Sequence, residues 1–456
     1  MPKPKASLTR AKGKSGDLPR WNLNDLYGGP KSRTLKADLA WAASESKKFR
    51  KTYEGHLKGL DGKGLGRAIS RYENIAERLG RIMSYGHLLH ATNLSDPKIS
   101  AFFQTMQERV TDISTDILFF TLELNRVGES VLKKQLKHPK AAHYAPWIRD
   151  NRVFRPHQLS DEAEKLLHEK LLTSRNAWIR LFGETMADLR FKVETGKRPK
   201  EMTLADTLNL LSDKKAEVRK KGAKALSKGL ARNIRVLTLI TNTLAKDKEI
   251  EDQWRRYPDP QSYRNLSNQV EDEVVEALVS AVKGSYGNLS HRYYKLKAKW
   301  FGVRRLNTWD RNAPLPEDSN RLYSWDEARS IVLRAYGAFA PEMSEIAGRF
   351  FDKGWIDAPP SPGKDSGAFS HPTVPSVHPY VMMNYHGKAG DVMTLAHELG
   401  HGVHQVLSAG QGTLMSDTPL TLAETASVFG EMLTFQAMLK DEKNTRRRRV
   451  LLAGKV

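Results

Sequence analysis

Residues 395–435 read LAHELGHGVHQVLSAGQGTLMSDTPLTLAETASVFGEMLTF. The first part, Leu395–Leu407, predicts a helix with two unlike faces. With His397 at zero and about 100° per residue, His401 falls near 40°. Val392, Leu395, Leu399, Val403 and Val406 gather between about 160° and 240°, on the opposite side. The helix therefore buries one face and presents both histidines and Glu398 on the other. Imidazoles four residues apart lie nearly above one another and can reach one tetrahedral ion. Glu398, about 100° round from His397, flanks that ion without ligating it, where it can take a proton from metal-bound water. Gly400 and Gly402 flank His401. Each costs about 1 kcal/mol against Ala in a helix interior, which points to a close approach at the backbone.

A catalytic zinc needs a third protein ligand and an open position. His404 shares the ligand face but lies about 10 Å from His397 along the axis, too far to bind the same ion. A metzincin would carry Gly at 404 and His at 407. This chain has His404 and Leu407, which excludes that class. The better candidate follows the loop Ser408–Asp417. Thr418 and Pro419 read as the N-cap and first residue of a second helix. That helix carries Glu424 and Glu431, seven residues apart and on one face. A glutamate buried on an apolar helix is costly unless it pairs or binds metal. Glu424 as ligand and Glu431 as hydrogen-bond partner of a ligand histidine satisfy both. A simple surface or salt-bridged carboxylate is an equal reading for Glu431.

Around this segment the periodicity is helical. Segments 34–130 and 158–254 read as amphipathic helices with short breaks. Ser324 and Glu327 have capping-box spacing, and Ala328, Ile331, Val332, Ala335, Tyr336 and Phe339 recur on one face behind them. Segment 352–390 is rich in Gly, Pro and Ser, with short extended runs such as Tyr380–His386. It reads as a small sheet with loops. The fold class expected is mostly α, with a small β-sheet next to the metal-binding helix.

Composition sets the outer bounds. The chain has 456 residues, of which 39% are hydrophobic, and no cysteine. Thiolate metal sites are excluded, so a transition metal must be held by His and carboxylate. The lack of cysteine fits a reducing cytoplasm. The first residues, MPKPKASLTRAKGKSGDLPR, lack the apolar core of a signal peptide. No run approaches the roughly 18 apolar residues of a membrane span. The net charge is +22. Without a recognisable nucleic-acid module it reads as basic solvated faces, so neither nucleic acid nor membrane is an expected partner.

The stretch 395–435 resembles the zinc-binding core of the oligoendopeptidase F group, relatives of thimet oligopeptidase among the gluzincins. Glu424-Thr-Ala-Ser427 matches the Glu-x-x-Ser element that holds that group's third ligand, and Glu431 matches a second glutamate seven residues on. Pro362–Ser370 and Pro379–Tyr385 resemble the stretch that lines its cleft, and Leu18–Tyr27 its N-terminal signature. The resemblance implies a multi-helical, clam-like enzyme with one Zn2+ per chain, an enclosed channel, and short unstructured peptides as substrates. It implies a division into an N-terminal helical region (1–115), an oligopeptidase F N-terminal-type helical domain (116–200) and a peptidase catalytic domain (201–456). Gly367, Ala368, Tyr380, Asn384 and Tyr385 become candidate substrate-binding residues, with the Tyr380–His386 stretch pairing with peptide as an added strand. Members of the group continue past this point with His and Tyr side chains that stabilise the oxyanion. The expectation is therefore a truncated or split chain, either a fragment with weakened activity or one that needs a second polypeptide to complete the domain; His371, His378, Tyr380, Tyr385 and His386 are the residues that could substitute for the missing donors. The alternative function is a non-catalytic or partner-dependent peptide-binding fragment.

Overall fold

The computed structural model describes residues 10–13, 16–194, 198–316 and 321–455. Helices dominate from Arg33 onward, and the strands are few and short. Three long helices, Arg33–Tyr53, Gly62–Thr92 and Pro97–Thr115, open the chain. Each starts on a side-chain cap: Ser32 accepts from the Leu35 N–H, Asp61 from that of Gly64, and Asp96 from those of Lys98 and Ile99. Such caps satisfy amides that would otherwise lack partners at a helix start. Leu35, Leu39, Ala42 and Phe49 form a buried stripe along the first helix, at the spacing of one helical face. This core is continuous with the one beneath the 325–403 region, where Val332, Phe350, Val381, Leu395 and Leu399 are buried.

The helix Trp325–Phe339 is capped by Ser324, as the spacing predicts. Glu327 does not close the box, because its carboxylate pairs with Arg321. Ala328, Ile331, Val332, Ala335 and Tyr336 are buried. Phe339 is not: it is 59% exposed and meets Phe429 edge-on at 4.8 Å. It stands on the last turn of its helix, where the core side ends.

The small sheet lies where the Gly- and Pro-rich segment places it. Its strands are Ile356–Asp357, Phe369–His371 and Tyr380–Met382. Tyr380–Met382 is central, parallel to the first and antiparallel to the second. This corrects the expectation that Tyr380–His386 pairs with a peptide. A central strand has both edges taken, and the edge nearest the histidine-bearing helix is Phe369–His371. Lys364 pins the sheet from inside. Its buried ammonium donates to Asp357 Oδ1 (2.6 Å), Asp357 O (3.1 Å), Pro359 O (3.0 Å) and Met383 O (2.7 Å). A buried charge is tolerable with this degree of pairing.

Segment 191–230 has a separate small core of Phe191, Val193 and Ala225. Among the described residues, no helix is long and apolar enough to cross a membrane.

Candidate metal centre and cleft

The histidine-bearing helix runs Ala389–Ser408 and the glutamate-bearing helix Leu420–Asp441. The second begins one residue later than the sequence suggests. Pro419 is the N-cap rather than the first helical residue. The two helices meet at Gly400. A Cβ there would lie 2.7 Å from Ala426 O and 2.8 Å from Ser427 Cα, so only glycine allows this approach. Gly402 serves the other side, where a Cβ would lie 2.5 Å from the Phe350 ring. Gly430 leaves room for the Tyr336 hydroxyl, which donates to Ala396 O just before His397.

This packing sets three donors around one point. Glu424 Oε2 lies 3.3 Å from His397 Nε2 and 3.6 Å from His401 Nε2. One donor atom from each of His397, His401 and Glu424 falls within 4.8 Å of the others, the one such group of three among the described residues. A tetrahedral ion with bonds of about 2.0–2.2 Å has donor–donor edges of about 3.3–3.6 Å. The donor set therefore fits zinc, with a fourth position open. His404 is not in the group.

Glu424 departs from expectation in one respect. Its side chain is 51% exposed rather than buried. Partners, not burial, hold it: Ser427 Oγ, fully buried, lies within hydrogen-bonding distance of Glu424 Oε2 (2.8 Å) and Glu424 O (3.0 Å). Glu431 Oε2 faces His397 Nδ1 at 3.4 Å, and its other oxygen meets Lys455 Nζ at 2.5 Å. Both readings of Glu431 thus coexist, since one carboxylate faces a histidine and a lysine at once.

Glu398 is the buried acid of the site, 6% exposed. Burial, then the charge of Glu424, push its carboxyl up to about 7, opposed by a hydrogen bond from the Ser370 N–H. Ser370 is further clamped by Gln405, whose Nε2 donates to Ser370 O (3.1 Å) and whose Oε1 accepts from Ser370 Oγ (2.8 Å). Burial lowers His401. The sequence pattern places Tyr336 on a helix face and Ser370 in a cleft-lining stretch but shows none of these contacts, nor the part of Gln405, because they join segments far apart in the chain.

A cavity of about 1070 Å³ opens on this centre, lined among others by His397, Glu398, Glu431, Tyr323, Asn384 and Lys455. A second, of about 400 Å³, is lined by His87, Phe103 and Arg180 and shares Ala205, Ser366 and Asn384 with the first. Asn384 is the one substrate candidate that lines both. Its Nδ2 donates to Asp365 O (2.9 Å) and Gly367 O (3.1 Å). Gly367 is exposed and Ala368 half-buried, just before the edge strand.

Tyr380 and Tyr385 are corrected: both are core residues. Their hydroxyls donate to Asn22 O (2.8 Å) and Tyr323 O (2.9 Å). On the central strand and just beyond it, these rings point into packing rather than into the cleft. Other candidate donors are also engaged elsewhere. His371 Nε2 meets Ser84 Oγ at 2.9 Å, and burial pushes its pKa down to about 3. His378 stacks on Trp355 at 3.8 Å and meets Asp25. Of the five proposed stand-ins, His386 lines the cavity.

A helical frame that gathers His-Glu-x-x-His and a later glutamate around one open position defines a metallopeptidase-type centre. The comparisons carry this to a family. The chain belongs to peptidase family M3, whose signature matches residues 209–454, and an oligopeptidase F signature matches residues 123–191. It is 25% identical to oligopeptidase PepF of Bacillus subtilis over 452 residues, covering 95% of this chain and 64% of that protein. It is 24% identical to an oligoendopeptidase F homologue of Lactococcus lactis, covering 95% and 72%. The chain thus spans under two thirds of the B. subtilis relative. Among solved structures, oligoendopeptidase F from Enterococcus faecium superposes with a TM-score of 0.63 at 19% identity, covering 92% of this chain and 70% of that one. PZ peptidase A gives 0.72 at 16%, covering 91% and 70%. At these identities the likeness establishes a shared fold.

Proposed function

We propose that this chain is a zinc endopeptidase acting on short, unstructured peptides. His397, His401 and Glu424 would hold the ion, and Glu398 would serve as general base. The observation that carries the reading is the convergence of three donors within 4.8 Å beside a buried carboxyl raised to about 7. Zinc at this point would supply Lewis-acid polarisation of the scissile carbonyl and acidify water at the open position. Glu398 takes the proton from the attacking water and delivers it to the leaving amine. The Ser370 N–H and the wall of the cavity fix the direction of that carboxyl. Glu431 holds the His397 ring through Nδ1, leaving Nε2 for the ion.

Peptide recognition belongs at the edge strand. The outer face of Ser370 is engaged by Glu398 and Gln405, so an extended peptide would pair with the backbone just before it, at Ala368. Proline at 368 removes that N–H. Ala368→Pro should raise KM about tenfold with zinc content unchanged, and an unaltered KM would remove the pairing. A cavity of about 1070 Å³ has room for a few residues of an extended chain but not for a folded domain, which supports short peptides as substrates. The lack of cysteine supports a reducing, cytoplasmic setting.

The deciding experiment is Glu398→Gln, assayed with a quenched fluorogenic peptide and by metal analysis. Zinc content should stay at the wild-type level while turnover falls by roughly a thousandfold or more. Cleavage at the original rate would overturn the assignment, as would wild-type peptide binding without any cleavage.

A further inference from the structure

The last helix, Thr445–Lys455, carries contacts that the proposed reaction does not use. Tyr293 donates its hydroxyl to Ala453 O at 2.6 Å, and the Arg449 guanidinium lies 4.7 Å over the Trp300 ring. These ties lay the end of the helix along the cavity, where Leu451, Gly454 and Lys455 form part of the wall. The Lys455 ammonium reaches Glu431 Oε1 at 2.5 Å. The other oxygen, Glu431 Oε2, faces His397 Nδ1 at 3.4 Å. The far side of that ring, Nε2, faces Glu424 at 3.3 Å. Lysine, carboxylate, imidazole and the Glu424 carboxylate thus follow one another in successive contacts.

We propose that Lys455 is a positioning residue that sets the metal affinity of the centre, acting through Glu431 on His397. The inference rests on the zinc reading above. An imidazole that ligates through Nε2 carries its proton on Nδ1, and an ionised, fixed acceptor there raises its basicity and holds its plane. Glu431 alone is a partly exposed carboxylate on rotatable bonds. Lys455 fixes the oxygen that His397 does not face, so the carboxylate cannot turn away. The same ammonium would repel a dication directly, through the carboxylate and ring between them. The two effects have opposite signs, so the sign of the change on removing the charge decides between them.

The test measures zinc affinity by chelator competition, on the full chain, for Lys455→Met, Lys455→Arg and Glu431→Gln. Methionine keeps most of the stem and removes the charge. Lys455→Met should weaken zinc binding about tenfold, and Lys455→Arg should restore it to within about threefold. In a Glu431→Gln background, Lys455→Met should produce no further loss, because its route is already cut. Affinity unchanged or tighter in Lys455→Met overturns the proposal. So does an equal loss in the Glu431→Gln background, which would show that Lys455 acts through packing. Melting of the zinc-stripped proteins checks the fold, and Lys455→Gln replaces Lys455→Met if methionine lowers it. Failure of the wild type to bind zinc would refute the zinc reading itself, a result separate from any difference between variants.

Discussion

The two helices that build the centre are constructed differently. Ala389–Ser408 buries Val392, Leu395, Leu399 and Val403 on one side and holds both histidines on the other. Its acid, Glu398, is buried. Leu420–Asp441 has apolar residues on every side: Phe435 and Met438 are buried, while Leu420, Leu422, Val428 and Phe429 are exposed. Its acid, Glu424, is half exposed. The first helix gets its position from the core. The second packs on the first at Gly400 and through Glu431, and on Trp325–Phe339 through Phe429 and Gly430. Ligand geometry therefore depends on one rigid element and one element docked onto it.

That asymmetry can be broken most severely at the rigid element. His401→Ala removes a ligand that no nearby histidine can replace, since His404 lies outside the donor group. Zinc should be lost on dialysis and activity with it, while the fold survives as judged by circular dichroism. Retained stoichiometric zinc would show that the centre lies elsewhere. The docking contact comes next. In Gly400→Ala the new Cβ meets backbone atoms of Ala426 and Ser427, which cannot rotate aside. Overpacking of this kind costs about 1–3 kcal/mol, against about 1 kcal/mol gained in helix propensity. The net should be a lower melting temperature together with weaker zinc binding, because Glu424 moves away from the histidines. Gly402→Ala presses on the Phe350 ring instead. It should lower melting with a smaller effect on zinc. Equal zinc losses in the two variants would mean that both helices share one packing unit.

The same contrast explains what the sequence revealed. The first helix was legible because its apolar residues and its histidines separate cleanly on the wheel, and its glycines flagged a close approach that the structure places against Ser427 and Phe350. Glu424 was legible as a position but not in its environment. A helix apolar on all sides suggests burial, and only the three-dimensional arrangement shows that this turn is exposed beside the two histidines. Tyr380 and Tyr385 failed for a related reason. An extended run with aromatic residues reads equally as cleft wall or central strand, and strand order is set by pairings with residues far away in the chain. Lys455 had no local signal at all, since its partner lies 24 positions earlier.

Burial of Glu398 gives a third probe, specific to the rigid helix. Its pKa is about 7 in the folded, metal-free protein and 4.5 as the ordinary value. Between those values the folded state holds a proton that the unfolded state has released. Stability from this group is therefore full below about pH 4.5 and declines as pH rises to about 7. The zinc-stripped wild type should lose on the order of 2 kcal/mol over that window relative to Glu398→Gln, in which the position cannot titrate. Denaturant melts at pH 4.5 and 7.5 measure the difference. Parallel pH profiles would mean that Glu398 is solvated, and its suitability as a base would need another source.

The smallest effect belongs to the docked helix and tests how its exposed ligand is held. Ser427 Oγ lies within hydrogen-bonding distance of two Glu424 acceptors, Oε2 and the main-chain O. Deleting it leaves the helix intact, because alanine is a better helix former than serine, and the space vacated is a single oxygen. Nothing else on that helix holds the Glu424 carboxylate, whose remaining partners are the two histidines. Ser427→Ala should therefore weaken zinc binding about tenfold, at the lower end of what partners of metal ligands contribute, with melting of the metal-free protein unchanged. If zinc affinity stays within about twofold, the histidines and the ion alone orient Glu424. The glutamate-bearing helix would then need only to approach, which the packing at Gly400 permits.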